Sequence, residues 1–453
     1  MPVLPIDTGR YGTNEMRAIF EEESKLQRLL DVEAALAWAH AEAGDIPRED
    51  AMVIMKKAST RHVRLERVKA IEREIKHDLA SVVRALAEMS GSSGAYVHLG
   101  ATSYDIVDTA MALLLKEALS LIDEKLRRLE QVLIDKASKY KRKIMTGRTH
   151  GQHALPTTFG FRCAVWMREN ARNIQRLRQC RERLLVGKIT GAVGTQAGLG
   201  PHAAAIQELT MTKLGLKHAD ISTQIVQRDR HAEFICLAAL IAASLENIAT
   251  EIRELQRPEI AELFEAFEYE KQVGSSTMSQ KRNPEICERI CGLSRIVRGL
   301  VVPALENVVT WHERDLTQSS AERFAIPEAC ILVDYILFLA ISILTNLRVD
   351  SKRMQQNLKI TKGRIMSEAV MTALVEKGMN RQDAHELLRK LTIESEAGNR
   401  QFREILRENK AIQRYLKGKE LDDALSPRKY LGTAVEQVDW MIRRTRHERE
   451  AAA

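Results

Sequence analysis

Two apolar ladders constrain the fold of this chain more than any other feature of its sequence. Within each ladder, steps of four and three residues alternate, which favours long helices packed nearly parallel in a bundle. Both helices are predicted to exceed about 25 residues, which is longer than most helices of globular proteins. We therefore predict an all-α fold built on a long-helix bundle. The ladders are Leu115, Leu119, Ile122, Leu126, Leu129 and Leu133, followed by Ile241, Leu245, Ile248, Ile252 and Leu255.

The length and composition agree with a helical protein of several domains. The 453 residues suffice for two or three domains, and only 5% are aromatic, while helix-forming Ala, Leu, Glu, Lys and Arg abound. We predict an N-terminal helical domain over 1–108, the central long-helix bundle over 109–350 and a C-terminal helical domain over 351–453. Residues 64–89 are predicted to form one helix, which carries His77. No region stands out as a β-strand.

Charge, hydropathy and cysteine usage exclude several classes of protein. The formal net charge of +8 is modest for 453 residues, and the Lys and Arg residues alternate with acids, which argues against a nucleic-acid binder. No apolar run approaches a membrane span, and the first residues do not resemble a signal peptide. The six cysteines form no Cys-x-x-Cys pair, which favours buried thiols in a reducing cytosol over disulfides. We therefore expect a cytoplasmic protein.

Four polar islands interrupt the helical pattern, at residues 98–105, 146–160, 271–285 and 313–323. Such islands are explained if they meet at the ends of the bundle or across subunits. The second island contains a His150-x-x-His153 pair, but no third ligand follows at a useful spacing, so we expect no metal site. The glycine-rich stretch 187–201 lacks the preceding strand of a dinucleotide-binding fold.

The third island combines a loop of small residues with the start of a helix. Gly274, Ser275 and Ser276 favour a mobile loop, and the following Asn283-Pro284 pair is typical of a helix N-terminus. Lys281 and Arg282 lie beside that terminus, an arrangement that suits an anion. A capped helix after a plain serine-rich linker stays an open alternative. A P-loop is excluded because no second glycine precedes Lys281, and a Ser-x-x-Lys catalytic motif is excluded by Met278.

Residues 274–283 resemble the signature of the fumarase/aspartase superfamily, Gly-Ser-Ser-x-Met-x-x-Lys-x-Asn, and Glu288 stands where the family has a glutamate. Ser279 occupies a position that is commonly proline in that family. Within the superfamily, the islands most resemble those of the adenylosuccinate lyases, through Lys76-His77-Asp78 and Gly147-Arg148-Thr149-His150-Gly151. The nearest competitor is the carboxymuconate cycloisomerase family, which residues 152–160 resemble. A non-catalytic scaffold built on this fold is the alternative of a different class.

The resemblance implies a fumarase/aspartase-type homotetramer that needs no cofactor, with active sites shared between subunits. It implies elimination of fumarate by general acid and base catalysis, with adenylosuccinate and its imidazole-carboxamide analogue as substrates. Ser275 matches the family's general base, His150 the general acid and His77 an assisting residue. A serine hydroxyl is a poor base unless its alkoxide is stabilised, whereas imidazole titrates near neutrality. The implied substrate-binding residues are Arg10, Tyr11, Lys76, Asp78, Thr102, Ser103, Gln224, Ser276, Lys281, Asn283, Arg289, Arg314, Ser319 and Arg323.

Overall fold

The structure is a computed structural model that describes residues 3–267 and 274–450. Residues 271–273 of the third polar island lie outside the described residues. The first ten helices are α1 Asn14–Ile19, α2 Glu22–Ala43, α3 Arg48–Lys57, α4 Leu65–Ile75, α5 Asp78–Ser90, α6 Ser103–Tyr140, α7 Phe159–Leu184, α8 Ala203–Leu214, α9 Asp229–Gln256 and α10 Glu285–Gly299.

Shorter helices dominate the remainder of the chain, with the long α12 as the exception. These helices are α11 Val301–Glu306, α12 Thr317–Asn346, α13 Ser351–Lys359, α14 Ser367–Glu376, α15 Arg381–Ala397, α16 Phe402–Glu408, α17 Lys410–Tyr415, α18 Lys419–Ala424 and α19 Ala434–Glu450. The strands are β1 Ile144–Thr149, β2 Gln152–Thr158, β3 Val186–Gly187, β4 Lys217–His218, β5 Leu263–Phe264 and β6 Arg348–Val349. The prediction of an all-α fold is confirmed, because the strands form only two-stranded pairs within the described residues.

The two predicted ladders lie on the long helices α6 and α9. α6 has 38 residues, and every ladder residue on it is at most 1% exposed. α9 has 28 residues, and its ladder residues are at most 5% exposed. At 1.5 Å per residue, α6 is about 57 Å long. The spacing therefore predicted both the existence and the buried face of these helices.

Two compact units divide the chain. The first comprises Met1–Arg127, Arg172–Glu246 and Ile290–Leu339, and the second comprises Arg128–Ala171, Asn247–Arg289 and Ala340–Ala453. In the first unit, α2, α3, α4, α5 and α8 pack around a core that includes Leu30, Leu36, Ile54 and Leu86. In the second unit, α14 to α18 enclose a separate core around Phe402 and Leu406. The predicted three-domain boundaries stay a prediction.

The polar stretch 146–160 corrects the expectation that no strands occur. β1 and β2 pair antiparallel from Ile144↔Thr158 to Thr149↔Gln152, with a register shift between Thr146 and Arg148. His150 and Gly151 form the two-residue turn, both at positive φ (53° and 73°). Two positive φ values in succession match the turn that fits the twist of a hairpin. His150 therefore occupies the tip of a β-hairpin.

The helices α9 and α12 also correct the hydropathy prediction. Both are long and apolar enough, by length and composition, to cross a membrane. Of their most apolar windows, 61% of the α9 window and 72% of the α12 window are buried inside the structure. Burial of this kind is what core helices of soluble proteins show, so their apolar character is explained by packing.

Candidate active site

A cavity of about 540 Å³ in the first unit is lined by many of the predicted substrate-binding residues. The segments around it are the junction of α4 and α5 and the first turns of α6, α9 and α12. The predicted residues that line it are Lys76, His77, Asp78, Ser103, Arg314, Ser319 and Arg323. Two of the four polar islands, 98–105 and 313–323, thus meet the Lys76-His77-Asp78 segment at one cavity.

His77 reaches this cavity because the helix predicted over 64–89 is broken. Lys76 has a left-handed backbone conformation (φ 59°) and ends α4, and His77 is the N-cap of α5. The His77 Nδ1 accepts a hydrogen bond of 3.2 Å from the Ala80 N–H. Because Nδ1 is the acceptor, the proton of a neutral His77 ring lies on Nε2. The prediction of one continuous helix was wrong, and the break is what exposes His77 to the cavity.

Ser319 and Arg323 also lie on a helix, where a polar loop was predicted over 313–323. α12 begins at Thr317, whose N–H donates to Asp315 Oδ1 over 2.7 Å. Because Ser319 and Arg323 are four residues apart on α12, they share one helical face. The Arg323 guanidinium pairs with Asp78. Burial alone would raise the pKa of Asp78, but the Leu79 N–H and Arg323 together hold it below its usual range.

Arg314 is held in place by an aromatic ring and an amide. Its guanidinium carbon lies 3.6 Å from the centre of the Tyr104 ring, and its Nη1 donates to Gln224 Oε1 over 2.9 Å. The Tyr104 hydroxyl donates to Ser319 Oγ over 2.8 Å. The buried Nε of Arg314 has no hydrogen-bond partner in the part of the chain that is described. The site thus contains a positioned guanidinium with a buried Nε, and its aromatic platform Tyr104 was not predicted from the sequence.

A buried charge network in the wall of the cavity was also missed. Arg228 donates from Nη1 and Nη2 to the two carboxylate oxygens of Asp108, each over 2.8 Å. Its Nε forms an ion pair with Glu322, 2.9 Å from Oε1. His231 Nδ1 is 3.0 Å from the same oxygen. Burial alone would raise the pKa of Asp108, but Arg228 and the other partners hold it below its usual range.

The loop that carries Thr102 and Ser103 rests on a second buried carboxylate. Asp105 accepts hydrogen bonds from the N–H groups of Thr102, Thr190 and Gly191 at 2.8, 2.9 and 3.0 Å, and it pairs with the fully buried Lys188. The loop also approaches the glycine-rich stretch closely. A Cβ on Gly100, whose φ is +69°, would lie 2.6 Å from the Gly198 carbonyl oxygen. Gly100 and Gly198 therefore allow the two backbones to pack closely.

His98 fixes the start of the same loop. Its Nδ1 lies 2.7 Å from Oε1 of Glu33, a carboxylate with a fully buried side chain. Burial alone would lower the pKa of His98, but the Glu33 carboxylate outweighs it and raises that pKa above its usual value.

Arg10 and Tyr11, in contrast, are not among the described residues that line the cavity. The Arg10 guanidinium stacks on the Tyr11 ring at 5.8 Å, and that ring lies 6.0 Å from the ring of Tyr335.

The other predicted site residues belong to the second unit. His150 is exposed at the hairpin tip, two residues after Arg148, which binds both oxygens of the buried Glu262 at 2.7 and 3.1 Å. Asn357 on α13 donates to the same carboxylate over 2.7 Å. The hairpin that carries His150 is therefore anchored to α13 through Glu262.

The Ser275 loop is closed by hydrogen bonds between its own side chains and backbone. Ser275 Oγ accepts hydrogen bonds from the N–H groups of Thr277 and Met278, at 3.3 and 3.0 Å. Asn283 Nδ2 donates to the Gly274 carbonyl oxygen over 3.2 Å. A Cβ on Gly274 would lie 2.3 Å from the Lys281 carbonyl oxygen, so glycine is required there. Two donors aimed at one hydroxyl oxygen favour a negative charge on that oxygen.

The start of α10 corrects the anion site predicted beside this loop. Asn283 does not cap the helix with its side chain, because that side chain bonds to Gly274. The Ile286 and Cys287 N–H groups donate to the carboxylate of Glu265, at 3.2 and 2.6 Å. The helix N-terminus is therefore already occupied by a carboxylate of the same unit. Ser276 and Lys281 are exposed on the loop, and Arg289 is half-buried in α10.

Two family models match this chain, one over its first two thirds and one near its C-terminus. A family model described as lyase matches residues 9–299, and one described as adenylosuccinate lyase C-terminus matches residues 363–441. The adenylosuccinate lyase of Methanocaldococcus jannaschii is 48% identical over 450 residues, which cover 99% of this chain and 97% of that protein. That of Pyrococcus abyssi is 51% identical over 442 residues, 98% of each chain.

The chain belongs to the adenylosuccinate lyase family. The superfamily predicted from the signature and the adenylosuccinate lyase resemblance predicted from the other motifs are both confirmed, and the chain is a lyase that acts on small molecules. Two solved structures share the fold. The fumarate lyase of Mesorhizobium sp. BNC1 is 32% identical with a TM-score of 0.89, covering 97% of this chain and 99% of that one. The 3-carboxy-cis,cis-muconate lactonizing enzyme of Pseudomonas putida is 33% identical with a TM-score of 0.90, covering 98% and 99%.

These values weaken the cycloisomerase alternative. The muconate enzyme matches the fold of this member of the adenylosuccinate lyase family over nearly its whole length, so the fold alone does not separate the two activities. The sequence does separate them. Identity to the adenylosuccinate lyases is 48% and 51%, against 33% to the muconate enzyme.

Proposed function

We propose that this lyase eliminates fumarate from adenylosuccinate to give AMP, and from the succinylated aminoimidazole carboxamide ribotide (SAICAR) to give AICAR. The observation that carries the mechanism is the pair of backbone N–H groups that donate to Ser275 Oγ at 3.0 and 3.3 Å. Those donors stabilise the alkoxide form that a serine base requires. Family membership supports the class of reaction, and the two N–H donors support Ser275 as its base.

The acid and base steps follow from the chemistry of the succinyl group. The Ser275 alkoxide removes a proton from the carbon next to a carboxylate, and the electrons move into that carboxylate to form an aci-carboxylate. Lys281 and Asn283 bind the succinyl carboxylates, so positive charge is present where negative charge develops. The C–N bond then breaks as His150 donates its proton to the leaving nitrogen, and the alkene of fumarate forms. One proton is taken and one is given, so the step is balanced.

The cavity of the first unit is the proposed binding site for the nucleotide. At about 540 Å³ it lies within the usual range of small-molecule sites. Arg314 presents a buried Nε that lacks a partner among the described residues, which favours an anionic ligand oxygen. Lys76 and Arg323 add further positive charge. Gln224 holds Arg314 and Ser319 holds Tyr104, and these two held side chains shape the cavity. Arg10, Tyr11 and Arg289 are proposed as additional nucleotide contacts, and Thr102, Ser103 and Ser276 as contacts to the succinyl end.

The proposed working form is a cytoplasmic homotetramer with active sites shared between subunits. The predicted base and acid belong to the second unit, whereas the nucleotide cavity is formed by residues of the first. Long helices with apolar ladders commonly bury further surface between subunits. A partner subunit would then supply the groups that complete each site. His77, with Nε2 left for the substrate, is proposed to assist His150.

An ultraviolet absorbance assay tests this function directly. We expect the protein to change the absorbance of adenylosuccinate and of SAICAR as fumarate is released, and to run the reaction backwards with AMP and fumarate. The Ser275→Ala chain is the matched control for contaminating activity. Turnover of carboxymuconate without turnover of adenylosuccinate would instead establish the cycloisomerase, and absence of turnover with all substrates would favour the scaffold alternative.

A further inference from the structure

A second cavity, of about 770 Å³, lies in the second unit and is lined by residues outside the proposed active site. It is formed by the residues before β1, by α13 and the turn after it, by α16 and by the segment that follows α18. Seven of its lining residues are cationic and one is acidic, Glu404. The cations are Arg142, Lys143, Lys359, Lys362, Arg403, Arg407 and Arg428.

Three of these cations have partners within the protein. Arg403 and Arg407 share the carboxylate of Asp422, at 3.5 and 2.9 Å, and Lys362 donates to the Asn399 carbonyl oxygen. The remaining four, Arg142, Lys143, Lys359 and Arg428, form no ion pair with any residue in 3–267 or 274–450. Four uncompensated charges around one concavity repel one another, and their field attracts small anions.

The floor of the cavity has a different character from its rim. The apolar lining residues are Ile144, Leu358, Ile365, Met366, Leu425 and Pro427. Ile365, Met366 and Leu425 belong to the buried core of the second unit, so this floor is fixed by packing. An apolar floor beneath a cationic rim fits a ligand with a flat ring at one end and several phosphates at the other.

We propose that this cavity is a second ligand site, specific for a nucleoside polyphosphate. The phosphates bind Arg142, Lys359 and Arg428 at the rim, and the base packs on Leu358 and Pro427. The cavity also lies at the base of the His150 hairpin, because Ile144 is the first residue of β1. Moreover, α13 supplies both the lining residue Lys359 and Asn357, which holds Glu262 beside Arg148. The bound ligand therefore contacts the elements that position His150.

Isothermal titration calorimetry with ATP tests the site, at about 50 mM salt where screening is weak. AMP is added at saturation, so that the proposed nucleotide cavity of the first unit is filled. The test variant is Arg142→Glu/Arg428→Glu. The matched control is Arg381→Glu/Lys410→Glu, which changes the net charge equally at two exposed helix starts outside the cavity.

We expect wild type and the control to bind ATP, and the test variant to bind it at least about tenfold more weakly. Both variants should keep wild-type turnover of adenylosuccinate, which verifies folding, and Lys359→Glu gives a second test if the double variant fails to fold. Inorganic tripolyphosphate is expected to bind more weakly than ATP, because it leaves the apolar floor uncovered. Absence of ATP binding by wild type, or equal loss in test and control variants, overturns the proposal. Equal affinity for ATP and tripolyphosphate overturns the assignment of a nucleoside.

Discussion

The cavity of the first unit and the Ser275 loop of the second differ in how their polar groups are held. In the cavity, Asp108 and Arg228 are 5% and 3% exposed and are bound to each other through two hydrogen bonds. In the loop, residues 276–282 are all exposed, and the hydrogen bonds of Ser275 Oγ come from residues two and three positions along. The first region is fixed by tertiary contacts, whereas the second is held mainly by hydrogen bonds within the loop.

This difference suggests a division of labour between the two regions. A buried, paired network such as Asp108–Arg228–Glu322 resists movement, so it is suited to hold a binding cavity in one shape. An exposed loop with local hydrogen bonds opens at little cost, so it is suited to admit a substrate and then present a base. Substitutions in the loop should therefore reduce turnover with little effect on stability, and substitutions in the network should do the reverse.

The largest expected effect is on turnover in Ser275→Ala. The substitution removes the base, so kcat should fall by about 10³-fold or more while substrate binding is retained. The thermal midpoint should stay at the wild-type value, because the hydrogen bonds of Ser275 Oγ to described residues all lie within its loop. Steady-state kinetics and equilibrium binding of adenylosuccinate measure the two parts. Ser276→Ala is the matched control and should lose much less turnover; near-normal kcat in Ser275→Ala would remove the assignment.

A somewhat smaller loss is expected in His150→Gln. Water can partly replace the acid, so we expect kcat to fall by about 10²-fold or more. The wild-type pH profile should have two limbs, and the variant should lose the limb that requires the protonated acid. His153→Gln, a change of the same type on the next strand, is the matched control and should keep both limbs. If His77→Gln were inactive while His150→Gln stayed active, the roles of the two histidines would have to be exchanged.

Arg228→Met tests the buried network of the first unit through the stability of the protein. It leaves the buried carboxylates of Asp108 and Glu322 without their cation, which should lower the free energy of unfolding by about 3–5 kcal/mol. Urea denaturation followed by circular dichroism measures this loss. Arg183→Met removes an arginine from an ion pair with Glu233 that is exposed on both sides, so the midpoint should barely move. Equal midpoints for the two variants would contradict the rigid role given to the network.

The smallest expected effect concerns the Glu33–His98 pair and depends on pH. The pKa of His98 is raised in the folded state, so the pair stabilises the fold fully below the ordinary histidine pKa of about 6.5. This contribution is lost as the pH rises through the raised value. Glu33→Gln should therefore destabilise the protein by about 1 kcal/mol more at about pH 6 than at about pH 9.

Thermal melts of Glu33→Gln and wild type at both pH values measure the difference. Glu208→Gln is the matched control, because Glu208 lies 3.4 Å from His218 in a pair that is largely exposed. Its effect should be small at both pH values. A stability difference between Glu33→Gln and wild type that is independent of pH would show that His98 is not charged by Glu33.

Particular residues show what the sequence could predict. The ladders on α6 and α9 were found because apolar spacing reports burial directly. The Lys76–His77–Asp78 cluster was found through the family resemblance. The helix break at this cluster was not predicted, because a left-handed conformation at a lysine leaves no trace in the hydrophobic pattern. The hairpin was missed because its turn is His150-Gly151, without an Asn-Gly signal, and because Pro156 in β2 argues against a strand.

The Asp108–Arg228–Glu322 network was missed for another reason. Its three residues come from chain positions more than 90 residues apart, so their pairing depends on which helix ends meet. A single sequence carries no such information. The sequence offered one signal of this network. Asp108 and Arg228 are both charged residues at the polar end of an apolar ladder. The same limit applies to Tyr104, whose role as the platform for Arg314 depends on packing.

The central claim is that groups from different subunits complete each active site, and mixed oligomers test it most directly. Ser275→Ala and His150→Gln chains, each nearly inactive alone, should be refolded together and their turnover compared with each parent. Light scattering should confirm a tetramer, and differently tagged chains should confirm mixing. We predict that the mixture regains part of the wild-type turnover, because some sites then hold both an intact Ser275 and an intact His150. Verified mixed tetramers without recovered turnover, or a fully active monomer, would contradict the shared site.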